Sequence, residues 1–148
     1  MTILYIDADA CPVKDEAYAV AARFGVPVKV VANAFLRVPP DPTIERVIVP
    51  GGLDVADDWI AERVAPGDVV VTADVPLADR CVKAGAVALA PTGKVFDAAS
   101  IGMARAVRDL MSDLREAGAV TGGPRPFSPK DRSAFRAALD RELRRATR

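Results

Sequence analysis

The sequence contains no histidine, and this absence excludes several kinds of active site at once. A Ser-His-Asp or Cys-His apparatus needs imidazole as its base, and His-ligated zinc needs it as a ligand. The two cysteines, Cys11 and Cys81, are too few for a four-thiolate site and do not form a CxxC pair. We expect them to be small buried thiols of a reduced, cytoplasmic protein. Any chemistry must therefore come from carboxylates, amines, hydroxyls or backbone amides.

Long apolar runs and aromatic residues are also scarce. No segment approaches the roughly 20 apolar residues of a membrane span. Asp7 interrupts the N-terminal apolar run too early for a signal peptide. Aromatic residues make up 5% of the 148 residues, which disfavours recognition of single strands by base stacking. We therefore expect no membrane partner, and contact with the backbone of any nucleic acid that binds.

The formal net charge is zero, because 20 basic residues balance 20 acidic ones. The two kinds of charge are unevenly distributed along the chain. Residues 1–104 hold 9 basic and 14 acidic side chains, whereas residues 105–148 hold 11 basic and 6 acidic ones. A basic C-terminal part makes nucleic acid a plausible partner, which the average alone would not suggest.

Short apolar runs that favour β-structure alternate with segments of helical periodicity. The pattern predicts strands at residues 2–6, 28–32, 47–49, 69–72 and 86–89, and C-terminal helices over about 98–117 and 129–146. This alternation predicts a three-layer α/β sandwich with a mostly parallel, Rossmann-like five-stranded sheet and a helical C-terminal extension. We expect one domain over residues 1–148, with residues 118–148 as a basic loop and helix.

Aspartates follow three of the predicted strands. Asp7 and Asp9 follow the first strand, Asp54 and Asp57 follow the third, and Asp74 follows the fourth. Because the carboxyl ends of parallel strands lie at one edge of the sheet, these side chains should converge. Converging carboxylates repel unless a cation neutralises them, and an all-oxygen ligand set suits Mg²⁺ or Mn²⁺. We therefore predict a metal site formed by all five aspartates that assists hydrolysis of phosphate esters, with Asp7, Asp9, Asp57 and Asp74 catalytic.

Simpler roles remain open for some of these acids. Asp54 has the position of a helix N-cap, and Asp57 lies in the first helical turn, where a negative charge is favourable. Asp74 precedes Pro76 at a helix start. Helical geometry points Asp58 away from the apolar face, so we expect it to be solvated. Asp7 and Asp9 have no comparable structural explanation.

Basic residues surround a glycine-rich segment near the C-terminus. Arg125, Lys130 and Arg132 flank residues 121–124, whose backbone amides could bind an anion. We expect these three residues and Thr72 to contact phosphate. An ordinary connecting loop and a solvated helix face are the alternatives. Residues 91–94, Pro-Thr-Gly-Lys, lack the following Ser/Thr and the upstream glycine of a phosphate-binding P-loop.

Four ordered motifs resemble the YaiI/YqxD family of bacterial proteins, and the resemblance spans nearly the whole chain. They are DADACP at residues 7–12, DVADDWI at 54–60, VTADVPLA at 71–78 and TGGPRPFSPKDR at 121–132.

More loosely, the chain is similar to the PIN-domain nucleases. Those place one acid after the first strand, one in a mid-chain helix and one in a Thr-x-Asp after the fourth strand, positions that match Asp7, Asp57 and Asp74. Asp57 fits better than Asp58 because of its spacing to Ile60. The similarity implies a PIN-like fold and a metal-dependent phosphodiesterase or nuclease, acting on RNA rather than DNA. Asp9 and the C-terminal extension have no counterpart in that pattern.

Two other functions compete with this interpretation. One is a non-catalytic module on the same fold that binds nucleic acid or a nucleotide. The other is a haloacid-dehalogenase-like phosphatase, which begins with the same Asp-x-Asp after a strand and would use Asp7 as nucleophile and Asp9 as general acid. Thr72 and Lys83 could complete that site, but the required acidic pair should follow them and none does.

Overall fold

The computed structural model describes residues 1–9, 11–118 and 126–148, and they form a three-layer α/β sandwich around one sheet. The strand order is β3-β2-β1-β4-β5-β6, with β1 to β5 parallel and β6 antiparallel to β5. The strands are β1 (Leu4–Asp7), β2 (Val28–Ala32), β3 (Ile44–Ile48), β4 (Val69–Val71), β5 (Val87–Leu89) and β6 (Val95–Phe96). The helices are α1 (Lys14–Phe24), α2 (Val55–Arg63), α3 (Val75–Lys83), α4 (Ile101–Glu116) and α5 (Pro129–Ala146). The predicted fold class is confirmed.

The two faces of the sheet are covered by different helices. Alternate residues of β1 show the division, since Leu4 and Ile6 pack with α1 and α5, whereas Tyr5 packs with α2 and α3. Helix α4 lies beside α3, where Ile101 and Ala104 pack with Ala78. Burial on both faces explains why the central strands are apolar throughout rather than alternating.

The C-terminal helix α5 belongs to the core. Ser128 and Asp131 form a capping box at its start, and Pro129 occupies the first turn, where its missing N–H has no helical partner to lose. Phe135, Leu139 and Leu143 are fully buried against α1 and the sheet. None of the helices in the described part of the chain, α5 included, is long and apolar enough to cross a membrane.

Strands β3 and β6 depart most from the prediction. Strand β3 begins at Ile44 rather than Val47, and its residues are half-buried or exposed because it lies at the edge of the sheet. Glu45 and Arg46 therefore interrupt the apolar pattern that the prediction relied on. Strand β6 makes a sixth strand, and two residues are too short to produce a period.

Residues 91–94 form the tight turn between β5 and β6. Gly93 donates its N–H to the carbonyl of Ala90 at 2.9 Å, and Ala90 donates to Lys94 at 2.9 Å. Gly93 has φ +93°, and a Cβ there would lie 2.7 Å from the carbonyl carbon of Ala134 in α5. Glycine is therefore required twice, for the backbone conformation and for the close approach of α5.

We expect Gly93→Ala to destabilise the protein by about 3 kcal/mol, because left-handed strain and a backbone clash both oppose the added methyl group. Gly67 is a matched control, since its φ is +92° and nothing lies within 4 Å of a Cβ there. Gly67→Ala should cost about 1 kcal/mol. Urea unfolding midpoints measure both variants, and equal losses would show that α5 does not pack against this turn.

Candidate functional site

A cavity of about 430 Å³ opens at the carboxyl ends of the central strands. The strand order reverses between β1 and β4, and such a switch point is where open α/β sheets bind ligands. The five aspartates predicted to hold a metal all line this cavity, together with Asn33 and the residues around Gly52: they are Asp7, Asp9, Asp54, Asp57 and Asp74. That they bind a metal stays a prediction.

Asp7 is fixed at the floor of the cavity by Thr72. Strands β1 and β4 pair with Ile6 beside Val71, so the residues that follow them, Asp7 and Thr72, lie next to each other. The Thr72 hydroxyl donates to Asp7 Oδ2 at 2.8 Å and accepts the Asp74 N–H at 3.0 Å. Thr72 is 1% exposed and its hydroxyl is engaged on both sides. Its predicted contact with phosphate stays a prediction, while its role in the structure is to orient Asp7.

Burial raises the pKa of Asp7 above its ordinary value. The hydrogen bond from Thr72 opposes this shift, and the charges of Asp9 and Asp74 add to it. Asp7 is therefore a buried carboxylate whose ionisation is made harder by its surroundings.

Asp74 links the floor of the cavity to helix α3. It is the N-cap of that helix, and its Oδ1 accepts the N–H of Leu77 at 3.0 Å. The capping role that the sequence left open is therefore real, and Asp74 lines the cavity at the same time. Because one oxygen is held by the helix, the direction of the carboxylate is fixed.

Asp57 lies in the first turn of α2, with its carboxyl within hydrogen-bonding reach of that of Asp74. Its pKa is raised to about 7, first by burial and then by the charges of Asp74 and Asp7. Asp57 therefore keeps its proton up to about neutral pH when no cation is present. This is the strongest electrostatic strain among the described groups of the cavity.

Asp54 and Asp9 lie at the rim and are exposed. Asp54 occupies the N-cap position of α2, but its side chain makes no capping hydrogen bond. It has φ +61°, the single positive φ among the described residues other than glycine. Aspartate tolerates this conformation better than most residues, and such outliers occur often at functional sites. Helix capping by the side chain therefore does not explain why an aspartate occupies position 54.

Asp58 is exposed, as the sequence predicted, and does not line the cavity. Its Oδ1 lies 2.7 Å from Nη1 of Arg80 in an exposed ion pair between α2 and α3. The preference for Asp57 over Asp58 as a site residue therefore agrees with the placement of both side chains.

The fit of a divalent cation depends on the donors and on their spacing. In residues 1–9, 11–118 and 126–148, no three His, Cys, Asp or Glu side chains form a group that could hold one ion. The donors are nevertheless all carboxylate oxygens, and Asp57 and Asp74 form a close pair. Mg²⁺ commonly binds through one or two carboxylates, completing its shell with water and substrate phosphate. The cavity therefore suits an open site of that kind and does not form a closed cage.

Two of the predicted phosphate-binding residues of the C-terminal part, Lys130 and Arg132, do not line this cavity. Lys130 is exposed on α5. Arg132 donates to the carbonyl of Pro12 at 2.6 Å and pairs with Glu16 at 2.9 Å, so it joins the starts of α5 and α1. Arg125 and the glycine-rich residues 121–124 lie outside the described residues.

Asn33 is a lining residue that the sequence prediction missed. It follows β2 directly, so the rule that located the aspartates would have found it had amides been included. Arg80 and Arg108 line an adjoining cavity and were also missed. They lie on helices rather than after strands, and no local pattern brings them together.

Asp57 supplies a test that needs no ligand. Its folded pKa is about 7 against an ordinary 3.8, so ionising it weakens the fold as pH rises through this interval. Without divalent cations, Asp57→Asn should stabilise the protein at pH 8 by on the order of 1 kcal/mol after solvent screening, or about 3 °C in Tm, and by little at pH 4. Thermal unfolding from pH 4 to pH 8 measures the difference.

The control is Asp113→Asn, which removes an exposed carboxylate of α4 outside the cavity. It should leave Tm nearly unchanged over the same range. A gain for Asp57→Asn that does not depend on pH would contradict the raised pKa.

The chain is similar over nearly its whole length to members of one protein family. A model of the family described as "Uncharacterized BCR, YaiI/YqxD family" matches residues 5–145. A "UPF0178 protein" of Rhodopseudomonas palustris (strain BisB5) is 69% identical over 147 residues, which cover 99% of this chain and 90% of the relative. One from Bradyrhizobium diazoefficiens is 66% identical over 99% of this chain and 88% of its own length. No solved structure matches the chain. The chain therefore belongs to the YaiI/YqxD family.

Proposed function

We propose that this protein is a Mg²⁺- or Mn²⁺-dependent phosphodiesterase, and specifically a nuclease that acts on RNA. The observation that carries the proposal is the Asp57–Asp74 carboxyl pair, which lies beside buried Asp7 in a cavity at the switch point of the sheet. Two ionised carboxylates this close repel each other unless a cation binds them. The cavity around them is open enough to admit phosphate oxygens.

Asp57 and Asp74 are the residues that would hold the ion, with Asp7, Asp9 and Asp54 as further oxygen donors around the cavity. A bound divalent cation would neutralise charge that develops on the phosphate during hydrolysis. Thr72 orients Asp7 through its hydroxyl, and the helix-capping bond to Leu77 orients Asp74. Asp7, whose pKa is raised by burial, is suited to accept a proton from the attacking water.

The choice of RNA rests on the likeness to PIN-domain nucleases. The Thr72-Ala73-Asp74 segment and the positions of Asp7 and Asp57 carry that likeness. The names of the relatives state no activity, so the family itself adds nothing to this choice. The sharply acidic cavity favours phosphate chemistry only if a cation is bound, and the first test therefore concerns the ion.

We expect Mn²⁺ to raise the unfolding temperature of the wild-type protein, because the ion binds the folded state and relieves repulsion within the carboxyl pair. The rise should disappear in Asp57→Asn and in Asp74→Asn. Asparagine can still cap α3, so the second substitution removes charge while it preserves the helix start. Differential scanning calorimetry across a Mn²⁺ titration gives the measurement.

Asp97→Asn is the matched control for Asp74→Asn. Asp97 also accepts backbone N–H groups at a helix start, from Ala99 and Ser100 at 3.0 Å, but it does not line the cavity. This variant should respond to Mn²⁺ as the wild type does. Equal responses in all variants would place any metal elsewhere.

We expect Mn²⁺-dependent cleavage of a labelled RNA, reduced about 100-fold or more in Asp7→Asn, Asp57→Asn and Asp74→Asn. Asp97→Asn should cleave at the wild-type rate. Gel assays with RNA, DNA of the same sequence and a small phosphomonoester, each with and without EDTA, measure the activity and the substrate class.

The other functions predict different results from the same assay. RNA binding without cleavage, indifferent to the ion and to the substitutions, would favour the non-catalytic module. Turnover of the phosphomonoester with a phosphorylated Asp7 would favour the phosphatase. Either outcome would overturn the nuclease proposal.

A further inference from the structure

A second cavity, of about 330 Å³, adjoins the first and shares part of its wall. Asp54, Asp57 and Asp74 line both cavities, and we call the two adjoining cavities together the groove. Beyond these carboxylates the wall changes sign, because Arg80 and Arg108 line the second cavity. The groove therefore passes from a cation-attracting part to an anion-attracting part.

The two arginines come from neighbouring helices. Arg80 lies on α3 and Arg108 on α4, and these helices pack through Ala78 and Ala104. The contact is reinforced by Asp79, which is 6% exposed and accepts from Arg105 at 2.8 Å. The packing that holds α4 against α3 thus also sets the place of Arg108 relative to Arg80.

The guanidinium groups of Arg80 and Arg108 are exposed and remain available to a ligand. Arg80 is oriented by the exposed Asp58, and its side chain remains 44% exposed. Arg108 is 53% exposed and contacts Asp109, its neighbour on α4, at 3.2 Å. Exposed ion pairs of this kind contribute little to stability, so their guanidinium groups can turn toward a ligand at small cost. A guanidinium binds phosphate in a bidentate manner that lysine cannot reproduce.

We propose that Arg80 and Arg108 form a phosphate-binding subsite that holds a second phosphate of a polynucleotide, next to the phosphate held at the carboxylates. The inference rests on the proposed function, since it takes a nucleic acid as the ligand. It makes the substrate a chain of at least two linked phosphates and not an isolated ester. Specificity for a polymer then comes from the groove, while the chemistry stays with the aspartates.

The charges of the groove explain why such a subsite is needed. Five aspartates in and around the first cavity repel a phosphodiester during its approach. Lys130 and Arg132, which the sequence suggested for phosphate contact, line neither cavity. Among the described residues, Arg80 and Arg108 are the basic residues that line this groove. They attract the polynucleotide where it enters or leaves the part of the groove that the aspartates line.

The test measures RNA binding separately from cleavage. Fluorescence polarisation of a labelled single-stranded RNA in EDTA gives the dissociation constant across a series of salt concentrations. Arg80→Gln and Arg108→Gln should each weaken binding about tenfold and lower the salt slope by about 0.7. Arg80→Lys should bind RNA more tightly than Arg80→Gln but less tightly than the wild type, because lysine keeps the positive charge but cannot bind phosphate in a bidentate manner. Arg115→Gln, on the last turn of α4 outside the groove, is the control and should bind as the wild type does.

A cleavage assay separates this inference from the proposed function. With Mn²⁺, both glutamine variants should raise KM for RNA about tenfold and leave turnover of bis(p-nitrophenyl) phosphate, which has one phosphate, unchanged. If the wild type cleaves RNA but the two glutamine variants have the same KM and salt slope as the wild type, the subsite proposal is overturned while the nuclease proposal stands. Loss of binding in the variants without any wild-type cleavage would support the subsite and overturn the nuclease. No RNA binding by the wild type would overturn the subsite.

Discussion

The parallel pairing of β1 with β4 is the constraint on which the site depends. It sets Ile6 beside Val71, and the residues that follow, Asp7 and Thr72, then meet at the carboxyl edge of the sheet. Thr72 is buried, and its hydroxyl joins Asp7 to the backbone of Asp74 at the start of α3. A one-residue slip would turn Tyr5 toward the layer that Leu4 and Ile6 fill, so close packing on both faces fixes this register and with it the geometry of the polar edge.

The site concentrates repulsion that the rest of the fold must offset. Asp7 is buried, Asp57 has a pKa of about 7, and both shifts arise from burial together with neighbouring carboxylates. The offsetting stability comes from two apolar layers, one between the sheet and α1 with α5, the other between the sheet and α2 with α3. Asp54, with its positive φ, adds backbone strain beside the same cavity.

Much of this arrangement could be predicted from local patterns. The helix bounds of α5 follow from Ser128, Pro129 and a regular apolar period, and the acids after β1 and β4 follow from the strand-end rule. The prediction failed where packing, and not sequence, decides the pattern. Edge strand β3 carries exposed polar residues, and β6 exists because a two-residue segment finds β5 as a partner. Local sequence patterns also could not show which arginines line the groove. Arg132 binds the carbonyl of Pro12 before α1, whereas Arg80 and Arg108 line the groove.

The sequence by itself determined the fold class, the absence of imidazole chemistry and the set of carboxylates at one edge of the sheet. Those properties depend on composition and on short-range periodicity, which a single chain displays directly. The tertiary structure decided which carboxylates meet, since Asp57 reaches Asp74 while Asp58 turns to Arg80. It also decided which arginines stand beside them. Contacts between helices depend on how their faces pack against a common sheet, and that packing is a property of the whole chain.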